Sequence, residues 1–242
     1  MRLPGQLTLD QLSQVEGLVH GFLSRQGGVS PEPYLSLNLS PATGDSLENV
    51  RANMDLVRQG LGFQKLVTVH QVHGAGVVAV DGRLPADQTT PLAKSDGLVT
   101  DRPGLGLLLK VADCLGVIVL VHAGWRGLAA GALPAGVRAM VRRFGGQAQD
   151  LMAGIGPSLG PCCAEFKNYR LEFPKEFWKY NIGRDHFDLW AIARDQLVAA
   201  GLDRANIQTV GLCTRCRPDL FFSHRGQGPV TGRLGVVAGY LV

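Results

Sequence analysis

Charge is scarce in this chain. Asp, Glu, Lys and Arg make up 18% of 242 residues, against a usual share of about 25%. With 24 basic and 20 acidic residues the net charge is only +4, and no basic block or RNA-binding signature accompanies it. A nucleic-acid partner is therefore not expected. Long apolar runs are absent too. No stretch of about eighteen apolar residues occurs, and the N-terminal MRLPGQLTLDQ carries no apolar h-region. The expectation is a soluble, cytoplasmic protein with no membrane partner. Repeats and Ser/Pro-rich linkers are missing as well, so residues 1–242 read as a single domain. Histidine is sparse, with six residues and no HxH pair. The five cysteines, an odd number, argue against a disulfide framework and for metal or thiol chemistry.

Hydrophobic residues stand at 45%, enough to bury a sizeable core, and glycine is in excess. The 32 glycines are about 13% of the chain, near twice the usual ~7%. They are dispersed among apolar runs, which excludes collagen and low complexity and suggests many tight turns. Gly74, Gly124, Gly127, Gly154, Gly156 and Gly160 are expected to flank a binding pocket and allow close approach.

Apolar strand-like runs cover Leu18–Arg25, Leu66–His73, Val77–Val80, Gly97–Val99, Leu105–Val111, Leu115–Val121, Leu151–Ile155, Ile207–Leu212 and Leu234–Leu241. A helix fits Asp45–Gly60, where Asp45 and Glu48 make a capping-box-like start and Val50, Met54, Val57 and Leu61 share one face. A second fits Gly127–Phe144, with Pro134 forcing a kink or a start nearby, and a third fits Leu189–Ala200. Strands and helices alternate without a strict βαβ rhythm. The fold class is an α/β (α+β) sandwich, a mixed β-sheet flanked by helices.

Three strand-end positions carry metal chemistry: His73 in HQVHG, Cys114 in ADC and His122 in VHAGWRG. A cysteine and two histidines suit Zn²⁺ and leave a fourth position open. The competing reading is one buried thiol and two satisfied imidazoles. His73 is preferred over His70, because residues three apart on a strand point to opposite faces. His20 and His186 read as structural, while His224 could serve either way. Cys213 and Cys216 form a CxxC, but its only counterpart is the adjacent pair Cys162–Cys163. Neighbouring cysteines rarely chelate like a CxxC, so a structural zinc is not expected there. Pro218 argues against a redox CxxC. GIGPSLG (154–160) is GxGxxxG, one residue too long for the dinucleotide fingerprint, and reads as a tight turn. Arg126 in HAGWRG, at a helix start, could hold a phosphate.

The ordered set GFLSRQGGVS, LSLNLS, GDSLENV, QVHG, SDGLVT, ADCLGV, HAGWRG, GIGPSLGPCC, CT and FFSHRG…TGR resembles the multicopper polyphenol oxidase or laccase-domain family, whose members are described as purine nucleoside phosphorylases. The resemblance runs from about His20 to the last strand. It implies a single-domain sandwich with zinc on His73, Cys114 and His122, copper being a less favoured alternative. It implies phosphorolysis of adenosine, inosine, guanosine and methylthioadenosine, with adenosine deamination as a further reaction. The partners would be a purine nucleoside and phosphate, and the protein a monomer or small homo-oligomer. Cys114, Asp113 and Arg126 are the candidate catalytic residues, with Asp113 either shuttling a proton or orienting a neighbour. Asn38 and Arg25 match motif positions and become candidate substrate contacts together with Arg126. Met54 stands where the family often has Arg, leaving one substrate cation unaccounted for.

Alternatives use the same residues. A copper-dependent polyphenol oxidase would need a larger histidine set. A Cys–His hydrolase would use Cys114 as nucleophile and His122 or His73 as base. A non-catalytic, metal-stabilised interaction module would have no open ligand position. One spacing is awkward: Cys114 to His122 is strand-like throughout, and eight residues at about 3.3 Å each would separate the ends by roughly 26 Å. The expectation is that a hairpin segment is missing from this numbering around Val119–Val121.

Overall fold

The structure, a computed structural model, describes residues 3–82, 84–118 and 120–242. Its strands, numbered in chain order, form two sheets and a ribbon. The four-stranded sheet runs β1 (Leu18–Phe22), β12 (Leu234–Tyr240), β5 (Leu105–Val111) and β2 (Lys65–Thr68). The six-stranded sheet runs β11 (Ile207–Thr209), β8 (Ala153–Ile155), β6 (Leu115–Ile118), β7 (Val121–Ala123), β4 (Gly97–Val99) and β3 (Val77–Ala79). The ribbon pairs β9 (Asn181–Gly183) with β10 (His186–Phe187). Both sheets are mixed: β2–β5, β3–β4 and β8–β11 are parallel, while the other pairs are antiparallel. The helices are α1 (Asp10–Ser13), α2 (Leu47–Leu61), α3 (Trp125–Ala129), α4 (Ala132–Phe144), α5 (Tyr169–Glu172), α6 (Leu189–Ala199) and α7 (His224–Gln227).

The period-two alternation of each strand explains the layering. Along β5, Leu105, Leu107, Leu109 and Val111 point toward the other sheet, while Leu108 points toward α2. Along β12, Leu234, Val236 and Ala238 join the inter-sheet core and Val237 the α2 side. On the far side, Leu115, Val117, Val121 and Ala123 pack against α4 and α6. The result is four layers, helix–sheet–sheet–helix, so the expected mixed sheet is in fact two. The face of α2 read from the sequence, Val50, Met54, Val57 and Leu61, is the buried one, each side chain contributing about 1.5–3 kcal/mol. Its cap differs: Ser46, not Asp45, accepts from Asn49 N at 3.1 Å. The stretch read as one helix over Gly127–Phe144 is two, broken at Gly131, and Pro134 sits in the first turn of α4, where a missing N–H costs little.

The run Leu115–Val121 is not a single strand. β6 and β7 run antiparallel, in the register Leu115↔Ala123, Gly116↔His122 and Val117↔Val121, and Leu120, just before β7, has a left-handed φ of 34°. Cys114 and His122 therefore lie side by side, and no additional segment is needed to bring them together. Val119, within the expected break, lies outside the described residues.

The glycine expectation needs correction as well. A Cβ on Gly124 would stand 2.9 Å from Cys114 Sγ, so that residue does make room at the site. Gly154 and Gly156 do something else. Side chains there would meet Leu9 and Phe22 at 2.2 and 2.3 Å, so these glycines let the sheets close on each other.

Candidate metal centre and substrate cleft

Each member of the His73, Cys114, His122 set is delivered by a different piece of backbone. Cys114 precedes β6, His122 lies in β7, and His73 ends the loop after β2 in a left-handed conformation, φ 60°. Their ligand atoms all lie within 4.8 Å of one another. The two imidazoles meet edge to face with centroids 4.9 Å apart. His70, the rejected alternative, lines the cleft but is outside this cluster.

Asp96, just before β4 and fully buried, holds the arrangement. Its Oδ1 lies 2.9 Å from His122 Nδ1 and accepts from His73 N at 2.9 Å, while Oδ2 accepts from Gly74 N at 2.8 Å. The strained turn at His73 is thus pinned through its own N–H. Burial alone would raise the Asp96 carboxyl, but His122 and the N–H groups of Gly74 and His73 hold it below the ordinary range. Burial likewise pushes the Cys114 thiol up, and the facing His122 and His73 more than reverse this, bringing it down to about 6. His122, resisting burial through Cys114 and Asp96, is raised to about 9. Each of the two groups thus favours the charged form of the other. The donor set fits a metal ion well: with Nδ1 tied to Asp96, His122 offers Nε2, the orientation that second-shell carboxylates impose on metal-bound imidazoles.

The cluster lies on the wall of a cleft of about 550 Å³. Two of its cations, Arg126 and Lys110, have side chains with no acceptor among the described residues. The Arg126 guanidinium stacks on Trp125 at 4.1 Å, and burial lowers Lys110 to about 8. Asp113, at φ 76°, accepts from Thr214 Oγ1 at 2.6 Å and Arg225 N at 2.5 Å, so both its oxygens are engaged. The Trp125 and Phe166 rings meet edge to face at 6.3 Å and line the cleft with Leu159 and Leu189.

Arg25 and Asn38 are not among the cleft-lining residues. The Arg25 guanidinium donates to the carbonyls of Leu35 and Pro218 at 2.6 and 3.0 Å and lies over Phe222. Asn38, fully buried, donates to Asp45 and Thr43 and accepts from Arg233 N at 2.9 Å. It stands behind the wall and braces Arg233, which does line the cleft. Met54 points into the core under α2, so no cleft cation is missing at that position. His20 accepts from Leu9 N and His186 contacts the Arg184 carbonyl, both structural, whereas His224 lines the cleft.

Sequence reasoning assigned no role to Asp96, Lys110, Arg233 or Thr214. Three of them sit in quoted motifs, Asp96 in SDGLVT, Thr214 in CT and Arg233 in TGR, and Lys110 is the lone charge in the apolar run LGLLLKV. The adjacent cysteines do converge with the CxxC. Cys162, Cys163, Cys213 and Cys216 bring all four sulfurs within 4.8 Å of one another.

Residues 19–240 match the family described as multi-copper polyphenol oxidoreductase laccase. The chain belongs to that family. It is 36% identical to a purine nucleoside phosphorylase of Streptomyces coelicolor, over 96% of this chain and 98% of the relative. It is 31% identical to a purine nucleoside phosphorylase of Bacteroides thetaiotaomicron, covering 94% and 93% of the two chains. An adenosine deaminase from an unknown prokaryotic organism is 33% identical, covering 93% and 95%. The solved structure of the hypothetical protein YfiH of Bacillus licheniformis superposes with a TM-score of 0.87 at 30% identity, covering 98% and 97%. These likenesses agree with the mixed-sheet sandwich. Among the described residues, no helix of this family member is long and apolar enough to cross a membrane.

Proposed function

We propose that this protein is a purine nucleoside phosphorylase that carries Zn²⁺ on His73, Cys114 and His122 and acts on adenosine, inosine, guanosine and methylthioadenosine. The observation that carries the reading is the conjunction of a His₂Cys donor set with two unpaired cations, Arg126 and Lys110, on one cleft. The names borne by relatives at 31–36% identity support it. The reading takes residues 1–242 as a single cytoplasmic domain, monomeric or in a small homo-oligomer, without nucleic-acid or membrane partners.

In phosphorolysis an oxygen of inorganic phosphate forms a bond to C1′ of the ribose, the bond from C1′ to the purine nitrogen breaks, and the base leaves with the electron pair. Arg126 and Lys110 bind and orient the phosphate. The apolar wall of Trp125, Phe166, Leu159 and Leu189 accepts the purine and excludes water. Asp113, anchored by Thr214 and the Arg225 N–H, acts as a positioning residue. Zn²⁺, when bound, supplies Lewis-acid polarisation of a substrate atom or a water.

Adenosine deamination is a second activity of the same site. The zinc deaminases activate a water on zinc held by one His and two Cys or by three Cys. The set here, two His and one Cys, differs from theirs but likewise leaves a position open for a water, and a relative bears the name adenosine deaminase. A multicopper oxidase fits less well, because among the described residues the only groups of three or more possible donors are this set and the four cysteines. The test incubates metal-assayed protein with inosine and adenosine, with and without phosphate. Phosphate-dependent ribose 1-phosphate supports the proposal, and inosine formed from adenosine without phosphate supports deamination. Phenol oxidation with bound copper and inert nucleosides would overturn both, and zinc retained with full turnover in Cys114→Ser would remove the metal assignment.

A further inference from the structure

Four of the five cysteines play no part in the cleft chemistry, yet they converge. The turn after β8 and the segment after β11 are zipped together: Ser158 bridges Cys213, Ser158 N donates to the Leu212 carbonyl at 3.3 Å, and Thr214 N donates to the Ser158 carbonyl at 3.0 Å. Cys162 and Cys163 lie in a tight turn closed by Cys163 N and Ala164 N on the Gly160 carbonyl, both at 2.9 Å. In an extended chain neighbouring side chains point to opposite faces, but in a turn of helical curvature they splay by only about 100°. Both sulfurs therefore reach the same spot. Cys162 Sγ and Cys163 Sγ each lie 3.5 Å from Cys216 Sγ, and all four sulfurs fall within 4.8 Å of one another.

We propose that Cys162, Cys163, Cys213 and Cys216 form a second metal site, a closed tetrathiolate that takes Zn²⁺. Four thiolates around zinc at a Zn–S distance of about 2.3 Å stand about 3.8 Å apart, the edge of the tetrahedron. The sulfurs here are spaced for a single ion, not for the wider cage of an iron–sulfur cluster. All four are free thiols, and 3.5 Å is far beyond an S–S bond of about 2.05 Å. The backbone N–H groups of Gly160 and Cys216 point at Cys213 Sγ, the kind of bond that stabilises a metal-bound thiolate. Binding displaces four thiol protons, and with every position filled by sulfur the site is structural.

Its place gives it a purpose. Thr214, between the ligands of the CxxC, donates to Asp113 Oδ1 at 2.6 Å, and Arg225, which donates through its backbone N–H to Asp113, also donates through its side chain to the Glu165 carbonyl at 2.8 Å. An ion clamping the two segments would lock the cleft wall that carries Asp113, beside the first site.

The experiment counts metal in the full chain, purified reduced and reconstituted with Zn²⁺ or Co²⁺. About two ions per chain are expected, falling to about one in Cys216→Ser, in Cys162→Ser and in His73→Ala, and to none in Cys216→Ser combined with His73→Ala. Co²⁺ in the His73→Ala protein should show the intense thiolate-to-cobalt charge-transfer bands of an all-sulfur tetrahedral site. A single ion in the wild type that His73→Ala removes would overturn the proposal. So would a second ion surviving both exposed-cysteine variants, or failure of the fully reduced His73→Ala protein to take up any ion. The cobalt spectrum needs no variant of the four cysteines, so misfolding cannot mask the answer. Failure at His73 alone would count against the catalytic reading and leave this one standing.

Discussion

Replacing Asp96 by asparagine tests how the first metal site is held. The carboxylate takes His122 Nδ1 and His73 N on one oxygen and Gly74 N on the other, and it is fully buried. Asparagine has a single acceptor oxygen, so its amide NH₂ must face one of these donors. An unsatisfied buried donor costs about 1–3 kcal/mol of stability. Loss of the carboxylate behind His122 should weaken metal binding about 10–100-fold, or roughly 1.4–2.7 kcal/mol. A pH signature follows from the same group. Its folded pKa lies below the ordinary value, so its contribution is fully present above the unfolded pKa of about 3.9 and is lost as pH falls through the lower folded value. The wild type should therefore lose stability on acidification more steeply than Asp96→Asn. Chelator competition for Zn²⁺ and thermal melts of the metal-free protein between neutral and acid pH read out both effects. Unchanged Zn²⁺ affinity together with an unchanged melt in Asp96→Asn would refute the reasoning.

Arg126→Ala should raise KM for phosphate about 10–100-fold and leave KM for inosine nearly unchanged, because a lost charge-assisted bond costs about 1.5–3 kcal/mol; steady-state kinetics with each substrate varied would expose an equal effect on both. Burial lowers Lys110 to about 8, so its charge is present below that pH and phosphate affinity should decline as pH rises through about 8. Lys110→Arg should abolish that decline, and a decline persisting in the variant would assign it elsewhere. In metal-stripped protein, the Cys114 peptide should be alkylated by iodoacetamide with a midpoint at about pH 6, and Zn²⁺ should block the reaction; a midpoint at about 8.5, that of an ordinary thiol, would contradict the facing-histidine geometry. Met54→Ala, from a side chain 1% exposed beneath α2, should cost about 2–5 kcal/mol in denaturant melts, while Ser46→Ala at the helix cap should cost about 1 kcal/mol.

What the sequence determines by itself is local. The 3.6-residue spacing of Val50, Met54, Val57 and Leu61 specifies the buried face of α2, and β4 and β5 stand where their apolar runs lie, because side-chain periodicity needs no knowledge of the partner. Residue chemistry alone also singles out His73, Cys114 and His122 as metal-ligand types. Whether they meet is tertiary. The reversal between β6 and β7 interrupts an apolar stretch whose one glycine, Gly116, is paired inside β6 and does not mark the turn, and it is the pairing of β6 with β7 that demands the reversal. Asp96 gains its role only when the loop after β2 folds back to present two N–H groups to it. The cysteine quartet joins residues some fifty positions apart, brought together by the bridge between Ser158 and Cys213. Periodicity is written along the chain, but coordination requires groups from distant segments at one point, and only packing decides which segments share it.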